Sequence, residues 1–188
     1  MKPRLPPGQK LTKRMAIYSI ESTPYFDGEH WSLTLSGAVN NPKTLTWKGF
    51  NSLSQSRLTV DFHCVTTWSL FDTTWEGVLF KDLYELVDPK LGVNHVLIKA
   101  RSSYSTNLPL KDAIASNVIV ATKFNNQPIE PKHGAPLRLV VPDKYAYKAC
   151  KWVSEIIFLE DEELGYWEQR GYSNFADPWK EQRYSSDD

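Results

Sequence analysis

The chain has 188 residues with 22 basic and 22 acidic side chains, so its formal net charge is zero, and 13% of its residues are aromatic. This length suits one domain with a buried core, and the balanced charge argues against nucleic-acid binding, which usually needs a basic face. No apolar run approaches the roughly 20 residues of a membrane span. The basic first 14 residues lack the apolar region of a secretion signal, so the default expectation is a cytoplasmic protein.

The order of strand and helix patterns predicts the fold class. Residues 1–16 are expected to form an N-terminal arm, and residues 17–188 a single domain. Alternating or continuously apolar runs predict strands at 31–37, 45–47, 58–62, 95–100, 118–124, 137–141 and 152–159. Helical spacing or a proline near a first turn predicts short helices around 50–53, 80–87 and 108–114. Many strands with few short helices indicate an α+β fold with mixed sheets.

Cys64 is one of only two cysteines, and it lies where the strand ending at Phe62 gives way to a loop. Loops held at the ends of strands often carry functional residues, and Trp68 and Trp75 are expected to wall this one. A thiolate is a soft ligand for a redox-active metal. A buried structural cysteine is the alternative, and spacing alone favours that alternative. The two cysteines are too far apart to suggest a disulfide framework.

Two long motifs occur in order along the chain. The first is FHCVTTWS at 62–69, followed by Trp75-Glu76-Gly77-Val78, and the second is HGAPLRLVVP at 133–142, followed by KACKWV at 148–153. Together they resemble the sulfite oxidase family of molybdopterin enzymes, and most closely its small, haem-free prokaryotic members. The resemblance covers roughly residues 18–171. It implies a mixed α+β fold with molybdenum and molybdopterin bound in a cleft.

The resemblance also implies roles for individual residues. Cys64 matches the thiolate that ligates molybdenum. Residues 18–24 match a segment that holds the pterin, but they lack the family's Arg-Asn-His triplet, so only a backbone contact is expected there. The other implied cofactor contacts are His133, Arg138 and Lys151, the backbone of Ala149 and Cys150, and Ser102. Arginine and lysine suit the cofactor phosphate as a planar fork and a point charge. Without the motifs, these cations could equally be solvated charges on strands.

The residues after Cys64 depart from the sulfite-oxidising pattern. Members that oxidise sulfite carry cations directly after the cysteine, whereas this chain has no cation between Cys64 and Lys81. An anion is poorly served by an uncharged aromatic wall. The segment is more similar to the methionine-sulfoxide reductase branch, which also reaches Trp-Ser after the cysteine. This favours a small neutral substrate of sulfoxide or N-oxide type, with Cys64, Thr67 and Trp68 at the reaction site.

The sequence therefore predicts a molybdenum-dependent oxidoreductase that transfers an oxygen atom. No haem or iron–sulfur signature is present, so an external redox partner is expected to carry the electrons. Two alternatives stay open. One is oxidation of a sulfite-type anion with a cation from elsewhere, such as Arg101 or Lys148. The other is a non-catalytic binding protein that has kept the fold.

Overall fold

The computed structural model describes residues 3–188, which form eleven strands and three short α-helices. The strands are β1 (Lys10–Leu11), β2 (Ser32–Gly37), β3 (Lys43–Thr46), β4 (Ser56–His63), β5 (Trp68–Leu79), β6 (His95–Ala100), β7 (Ser105–Pro109), β8 (Ile119–Phe124), β9 (Gln127–Pro128), β10 (Arg138–Val140) and β11 (Val153–Leu159). The helices are α1 (Trp47–Asn51), α2 (Phe80–Leu86) and α3 (Leu110–Ala113).

The strands form two mixed sheets. The first sheet has the order β1-β5-β8-β10, with β4 paired to β5 and β9 paired to β8, and the second has the order β3-β2-β11-β6-β7. Most neighbours are antiparallel, whereas β1 with β5 and β2 with β11 run parallel. The predicted α+β class, with mixed sheets and short helices, is confirmed.

The long strand β5 was not predicted, because the residues after Cys64 were assigned to a loop. In the structure that loop ends at Thr67, and β5 then pairs with β4 along almost its whole length. Gly77 lies where the register of β5 against β8 shifts. A Cβ at this position would lie 2.1 Å from Val120 O, so only glycine allows the two backbones to approach so closely.

Strand β7 was also not predicted, because its residues Ser105, Thr106 and Asn107 are polar. They pair with β6, and both Thr106 and Asn107 are fully buried. A polar residue can occupy a buried strand when its side chain finds partners. Thr106 Oγ1 donates to Glu168 Oε1 at 2.8 Å. This strand therefore depends on a contact with a distant residue, which the local sequence pattern does not indicate.

Helix α1 begins earlier than the predicted 50–53, because Thr46 Oγ1 accepts from Gly49 N at 3.1 Å and thereby caps it. Helix α2 ends at Leu86, one residue short of the predicted range. Within residues 3–188, no helix has both the length and the apolar character needed to cross a membrane.

The prediction that Trp75 walls the loop after Cys64 is wrong. Its side chain is completely buried in a core cluster with Phe62 and Ile119. Its ring centroid lies 4.5 Å from that of Phe124 on the neighbouring strand β8. The alternation along β5 turns Trp75 toward the core, so it supports the sheet and does not face the loop.

The predicted arm is attached to the domain over much of its described length. Lys10 and Leu11 pair in parallel with the start of β5, and Gln9 is buried. Arg4 forms an ion pair with Asp61 at 2.8 Å. Met1 and Lys2, the first residues of the predicted arm, lie outside the described residues. The division into an arm and a single domain stays a prediction.

Candidate cofactor site

A cavity of about 380 Å³ opens between the loop at residues 64–67 and the segment from Lys132 to Trp152. Its walls come from parts of the chain that are distant in sequence. The lining residues belong to 15–20, to 62–68, to 132–138, to 146–152, and to Tyr104, Trp167 and Tyr172. Both motifs found in the sequence therefore meet at this one cavity.

Cys64 reaches the cavity through a tight loop, residues 64–67, which we call the Cys64 loop. Thr67 N donates to Cys64 O at 3.1 Å, and Cys64 N donates to Trp68 O at 2.8 Å. Thr67 has φ of 72°, a left-handed conformation that turns the chain back into β5. The Cys64 side chain is mostly buried, and its Sγ lies 3.2 Å from Thr66 Oγ1.

Arg138 lies on β10 with its guanidinium beside the rings of Phe62 and Trp75, at 5.1 and 5.8 Å from their centroids. Its Nη1 donates to His133 O at 2.8 Å, whereas its Nε is buried without a partner. Burial lowers the pKa of Arg138 to about 10, and interactions with Cys150 and Cys64 oppose this shift. Arg138 and Cys64 line the same cavity, and a guanidinium in this place suits an anionic ligand.

Lys151 adds a second cation to the same wall. Its Nζ donates to Tyr18 O at 2.7 Å and to Lys132 O at 3.3 Å. The backbone of residue 18 therefore reaches this wall, and the backbone contact with the pterin expected from residues 18–24 stays a prediction. Burial, followed by the nearby charge of Arg138, lowers the pKa of Lys151 to about 8. The ammonium thus loses its proton more easily than an exposed lysine does.

Gly134 and His133 shape the wall between the two cations. Gly134 has φ of 115°, and a Cβ there would lie 3.0 Å from Lys151 Cβ. This glycine is therefore required both by its backbone conformation and by the close approach of Lys151. Burial, and then the charge of Arg138, lowers the pKa of His133, so its ring favours the neutral form.

A buried ion pair holds the segment behind the cavity. Lys148 Nζ lies 2.5 Å from Glu168 Oε1, and neither side chain reaches solvent. Lys148 also donates to Asn107 O at 2.9 Å. Lys148 is thus a structural cation and cannot serve the substrate. Arg101 is exposed and does not line the cavity, so neither residue suggested as a substrate cation is placed to act as one.

The structure brings six of the predicted site residues to the cavity: Cys64, Trp68, His133, Arg138, Ala149 and Lys151. Three others are not among the described lining residues. Thr67 is exposed and outside the cavity, and Ser102 Oγ accepts from Tyr104 N. Cys150 is buried in the main core cluster, and this burial raises the pKa of its thiol to about 12.

The sequence reasoning missed most of the aromatic wall. Tyr104, Tyr147, Trp167 and Tyr172 all line the cavity, and the rings of Trp167 and Tyr172 lie 4.8 Å apart. The high aromatic content was a signal for a walled pocket, but it could not identify these members. They come from three separate segments, so only the fold brings them together.

The donor set fits a metal that brings most of its own ligands. Among residues 3–188, no three His, Cys, Asp or Glu side chains are arranged to hold a metal ion. Cys64 offers a single soft ligand at the cavity, and the same cavity is lined by Arg138, Lys151 and Lys132. One soft thiolate together with several cations fits a molybdenum–dithiolene cofactor, which brings its own sulfur ligands and carries a phosphate.

Comparison with known proteins agrees with this arrangement. Residues 20–167 match the family described as oxidoreductase molybdopterin binding domain. The chain is 35% identical over 185 residues to "Uncharacterized oxidoreductase YuiH" of Bacillus subtilis, covering 98% of this chain and 93% of that protein. It is 26% identical over 181 residues to "Protein-methionine-sulfoxide reductase catalytic subunit MsrP" of Campylobacter jejuni, covering 87% of this chain and 60% of that protein.

A solved structure shows the same fold. The sulfane dehydrogenase SoxCD from Paracoccus pantotrophus superposes with a TM-score of 0.66 at 17% identity. The match covers 74% of this chain and 40% of the SoxCD chain. At this identity the likeness concerns the fold alone.

Proposed function

This chain belongs to the family of molybdopterin-binding oxidoreductases and is a molybdenum-dependent enzyme, and we propose that its substrate is a small neutral oxygen-atom donor or acceptor of sulfoxide or N-oxide type. An external redox partner would supply or remove the electrons. The charge distribution around the cavity is the observation that carries this proposal.

The cofactor, when bound, supplies the oxygen-atom transfer and the electron chemistry. The protein's own residues bind and orient it. Cys64 would provide the one protein thiolate, and metal coordination would keep that thiol deprotonated. Arg138, Lys151 and His133 would hold the pterin and its phosphate, with close backbone approach at Ala149.

The two walls of the cavity differ in charge. Among the described lining residues, every cationic or titratable nitrogen belongs to Lys132, His133, Arg138 or Lys151, all on the wall assigned to the cofactor. The Cys64 loop contributes no charged side chain. An anionic substrate that loses water in a partly closed cavity needs nearby cations, so the side of the Cys64 loop suits a neutral molecule.

Aromatic rings and one hydroxyl complete the proposed substrate side. Trp68, Trp167 and Tyr172 are half-buried and line the cavity, and such rings exclude water from a small apolar substrate. Thr66 Oγ1 lies next to Cys64 Sγ and can donate to a substrate oxygen. The reaction-site role predicted for Thr67 therefore fits Thr66 better, because Thr66 lines the cavity.

The Campylobacter relative is a protein-methionine-sulfoxide reductase by name, which supports a sulfoxide as substrate. This chain covers 60% of that protein, so its activity is carried over here as a proposal. The predicted cytoplasmic location also remains a proposal, as does the identity of the electron carrier.

Oxidation of a sulfite-type anion is the second candidate, and one observation favours it. Arg138 is the one buried cation among the described lining residues, and it shares the cavity with Cys64. If the cofactor leaves Arg138 partly free, the guanidinium could hold an anion near the metal.

A charge introduced into the Cys64 loop separates the two candidates. The measurement is kcat/KM for a neutral sulfoxide and for sulfite, at low salt with artificial electron carriers. We expect the wild type to prefer the sulfoxide. Thr66→Arg should shift the ratio toward sulfite by roughly tenfold or more, because one charge-assisted hydrogen bond contributes about that factor.

Two control variants isolate the effect of charge. Thr66→Gln removes the hydroxyl beside Cys64 without adding charge, and Thr67→Arg adds the same charge one residue outside the cavity. Neither should move the ratio as far as Thr66→Arg does. Efficient sulfite oxidation by the wild type, with no turnover of sulfoxides, would overturn the proposal in favour of the second candidate.

A further inference from the structure

We propose that Gln9 and Arg183 are positioning residues that fix the direction in which Cys64 presents its thiolate to the metal. Both lie outside residues 20–167, which match the family. Gln9 belongs to segment 3–12 and Arg183 to segment 177–184, and both segments pack against the Cys64 loop. The proposal rests on the role of Cys64 as metal ligand, but it is independent of the substrate.

Gln9 holds the carbonyl of the cysteine itself. Its Nε2 donates to Cys64 O at 3.1 Å, and its Oε1 accepts from Ser69 Oγ at 3.3 Å. Ser69 Oγ lies 2.8 Å from His63 Nδ1. Because all four residues are buried, water does not compete with this chain of hydrogen bonds, which runs from His63 through Ser69 and Gln9 to Cys64.

Arg183 holds the next carbonyl along the loop. Its Nη1 donates to Val65 O at 2.5 Å, and its guanidinium lies 4.9 Å from the ring centroid of Tyr145. The side chain is mostly buried, and it also pairs with Glu181 at 3.5 Å. The stacked ring and the carboxylate fix the guanidinium, so the carbonyl of Val65 meets a donor that is already oriented.

The two segments also support each other and the far end of the loop. Trp179 Nε1 donates to Pro3 O at 2.7 Å, which ties segment 177–184 to segment 3–12. Lys10 N donates to Thr67 O at 2.9 Å. Carbonyls at three of the loop's four residues are thus bound from outside the family match. Peptide groups held in this way cannot rotate freely, so the Cα–Cβ direction of Cys64 is fixed as well.

Fixing this direction has a chemical consequence. The direction of the Cα–Cβ bond, which the loop backbone sets, determines which positions the sulfur of Cys64 can reach and so how it can approach a metal. Groups that orient a metal ligand without touching the metal commonly change metal affinity or activity by roughly 10- to 100-fold. Gln9 and Arg183 occupy that position relative to Cys64.

The test uses shape-conserving variants with matched controls. Gln9→Met and Arg183→Met keep the length of each side chain and remove its donors, whereas Arg183→Lys keeps a positive donor. Gln55→Met is the control for Gln9, because Gln55 Nε2 also donates to backbone carbonyls, those of Phe50 and Leu53, at the end of β4 far from Cys64. Arg170→Met is the control for Arg183, because Arg170 donates to the carbonyl of Tyr166 and lies over its ring.

The first readout needs no cofactor. Hydrogen exchange of the Cys64 and Thr67 amides in the cofactor-free protein should be roughly tenfold faster in Gln9→Met and Arg183→Met, since each loses a hydrogen bond that restrains the loop. The second readout is the electron paramagnetic resonance spectrum of molybdenum in the loaded protein. It should change in both variants and return toward the wild type in Arg183→Lys, and the two controls should keep the wild-type spectrum.

A purely structural role would lower the thermal midpoint of the variants and leave the spectrum of the loaded molecules unchanged. That result, or loop exchange no faster than in the controls, would overturn the proposal. If Gln9→Met does not fold, the Arg183 series decides alone. Cys64→Ser tests a separate premise, namely that Cys64 is the metal ligand. An unaltered molybdenum spectrum in that variant would show that Cys64 is not the ligand, and the proposed function of the site would fail with it.

Discussion

Substitution of Glu168 by glutamine removes the counter-charge from a lysine that has no access to water. The side chains of Lys148 and Glu168 are 0% and 1% exposed, and their charged atoms lie 2.5 Å apart. Glutamine keeps the size and can still accept from Thr106, but it leaves the ammonium uncompensated. Breaking a buried pair in this way costs ~3–5 kcal/mol. We therefore expect Glu168→Gln to lose a large part of the free energy of unfolding, which totals about 5–15 kcal/mol in typical proteins.

The loss should depend on pH with a defined sign. Burial lowers the pKa of Lys148, and the charge of Glu168 opposes that shift. In Glu168→Gln this opposition is absent, so the pKa falls further below its ordinary value near ~10.4. Between the folded and the unfolded pKa of Lys148, the unfolded state binds more protons than the folded state, so the free energy of unfolding rises with pH. This pH interval is wider in the variant, and the difference in free energy of unfolding between wild type and variant should therefore narrow from neutral pH upward.

Urea unfolding followed by tryptophan fluorescence, at about pH 7 and at about pH 9.5, measures both effects. Glu76→Gln is the control, because the pair of Glu76 with Lys123 is substantially exposed and such pairs contribute about 0–1 kcal/mol. If Glu168→Gln destabilises the fold no more than Glu76→Gln does, or if the gap widens with pH, then Lys148 is not a buried cation and the reasoning fails.

Two further predictions concern the cofactor. Cys64→Ser should abolish turnover and remove the thiolate-to-metal absorption while leaving the fold intact, whereas Cys150→Ser, which changes a core thiol, should leave both unchanged; full activity in Cys64→Ser would refute the ligand assignment. If Lys151 holds the anionic cofactor as proposed, it must be charged to do so, and burial lowers its pKa to about 8; uptake by the cofactor-free protein should then weaken as pH rises through this value. Lys151→Arg should abolish that pH dependence, since arginine stays protonated, and titration of uptake against pH in both proteins checks it.

The parts of the site that could be predicted from the sequence are those fixed by local pattern. The alternation at 58–62 predicted a strand ending next to Cys64, and the structure ends β4 at His63. The apolar run at 137–141 predicted a strand carrying Arg138, and β10 carries it. In both cases side-chain period and local composition are sufficient, because neighbouring residues along the chain decide whether a strand forms.

The parts that could not be predicted depend on contacts between distant residues. From the sequence Lys148 is a plausible substrate cation, whereas in the structure its charge is paired with that of Glu168. Trp75 and Trp68 both follow Cys64 in sequence, yet β5 directs Trp75 into the core and Trp68 toward the cavity. The direction of a side chain depends on strand register, and a shift of one residue reverses it. Because the residues after Cys64 were expected to form a loop, the sequence predicted neither β5 nor the opposite directions of Trp68 and Trp75.

If Arg138 binds the cofactor as proposed, its buried charge links the stability of the empty fold to the affinity for the cofactor. A guanidinium among aromatic rings, with one N–H unpaired, costs free energy that the surrounding core must offset. An anionic ligand held by the guanidinium would offset part of this cost, because the charge is already desolvated before the ligand binds. Arg138 then lowers the stability of the empty protein and raises the stability of the cofactor-bound protein. A neutral side chain at position 138 would remove the desolvation cost in the empty protein, but it would also remove the charge that is proposed to hold the anionic cofactor.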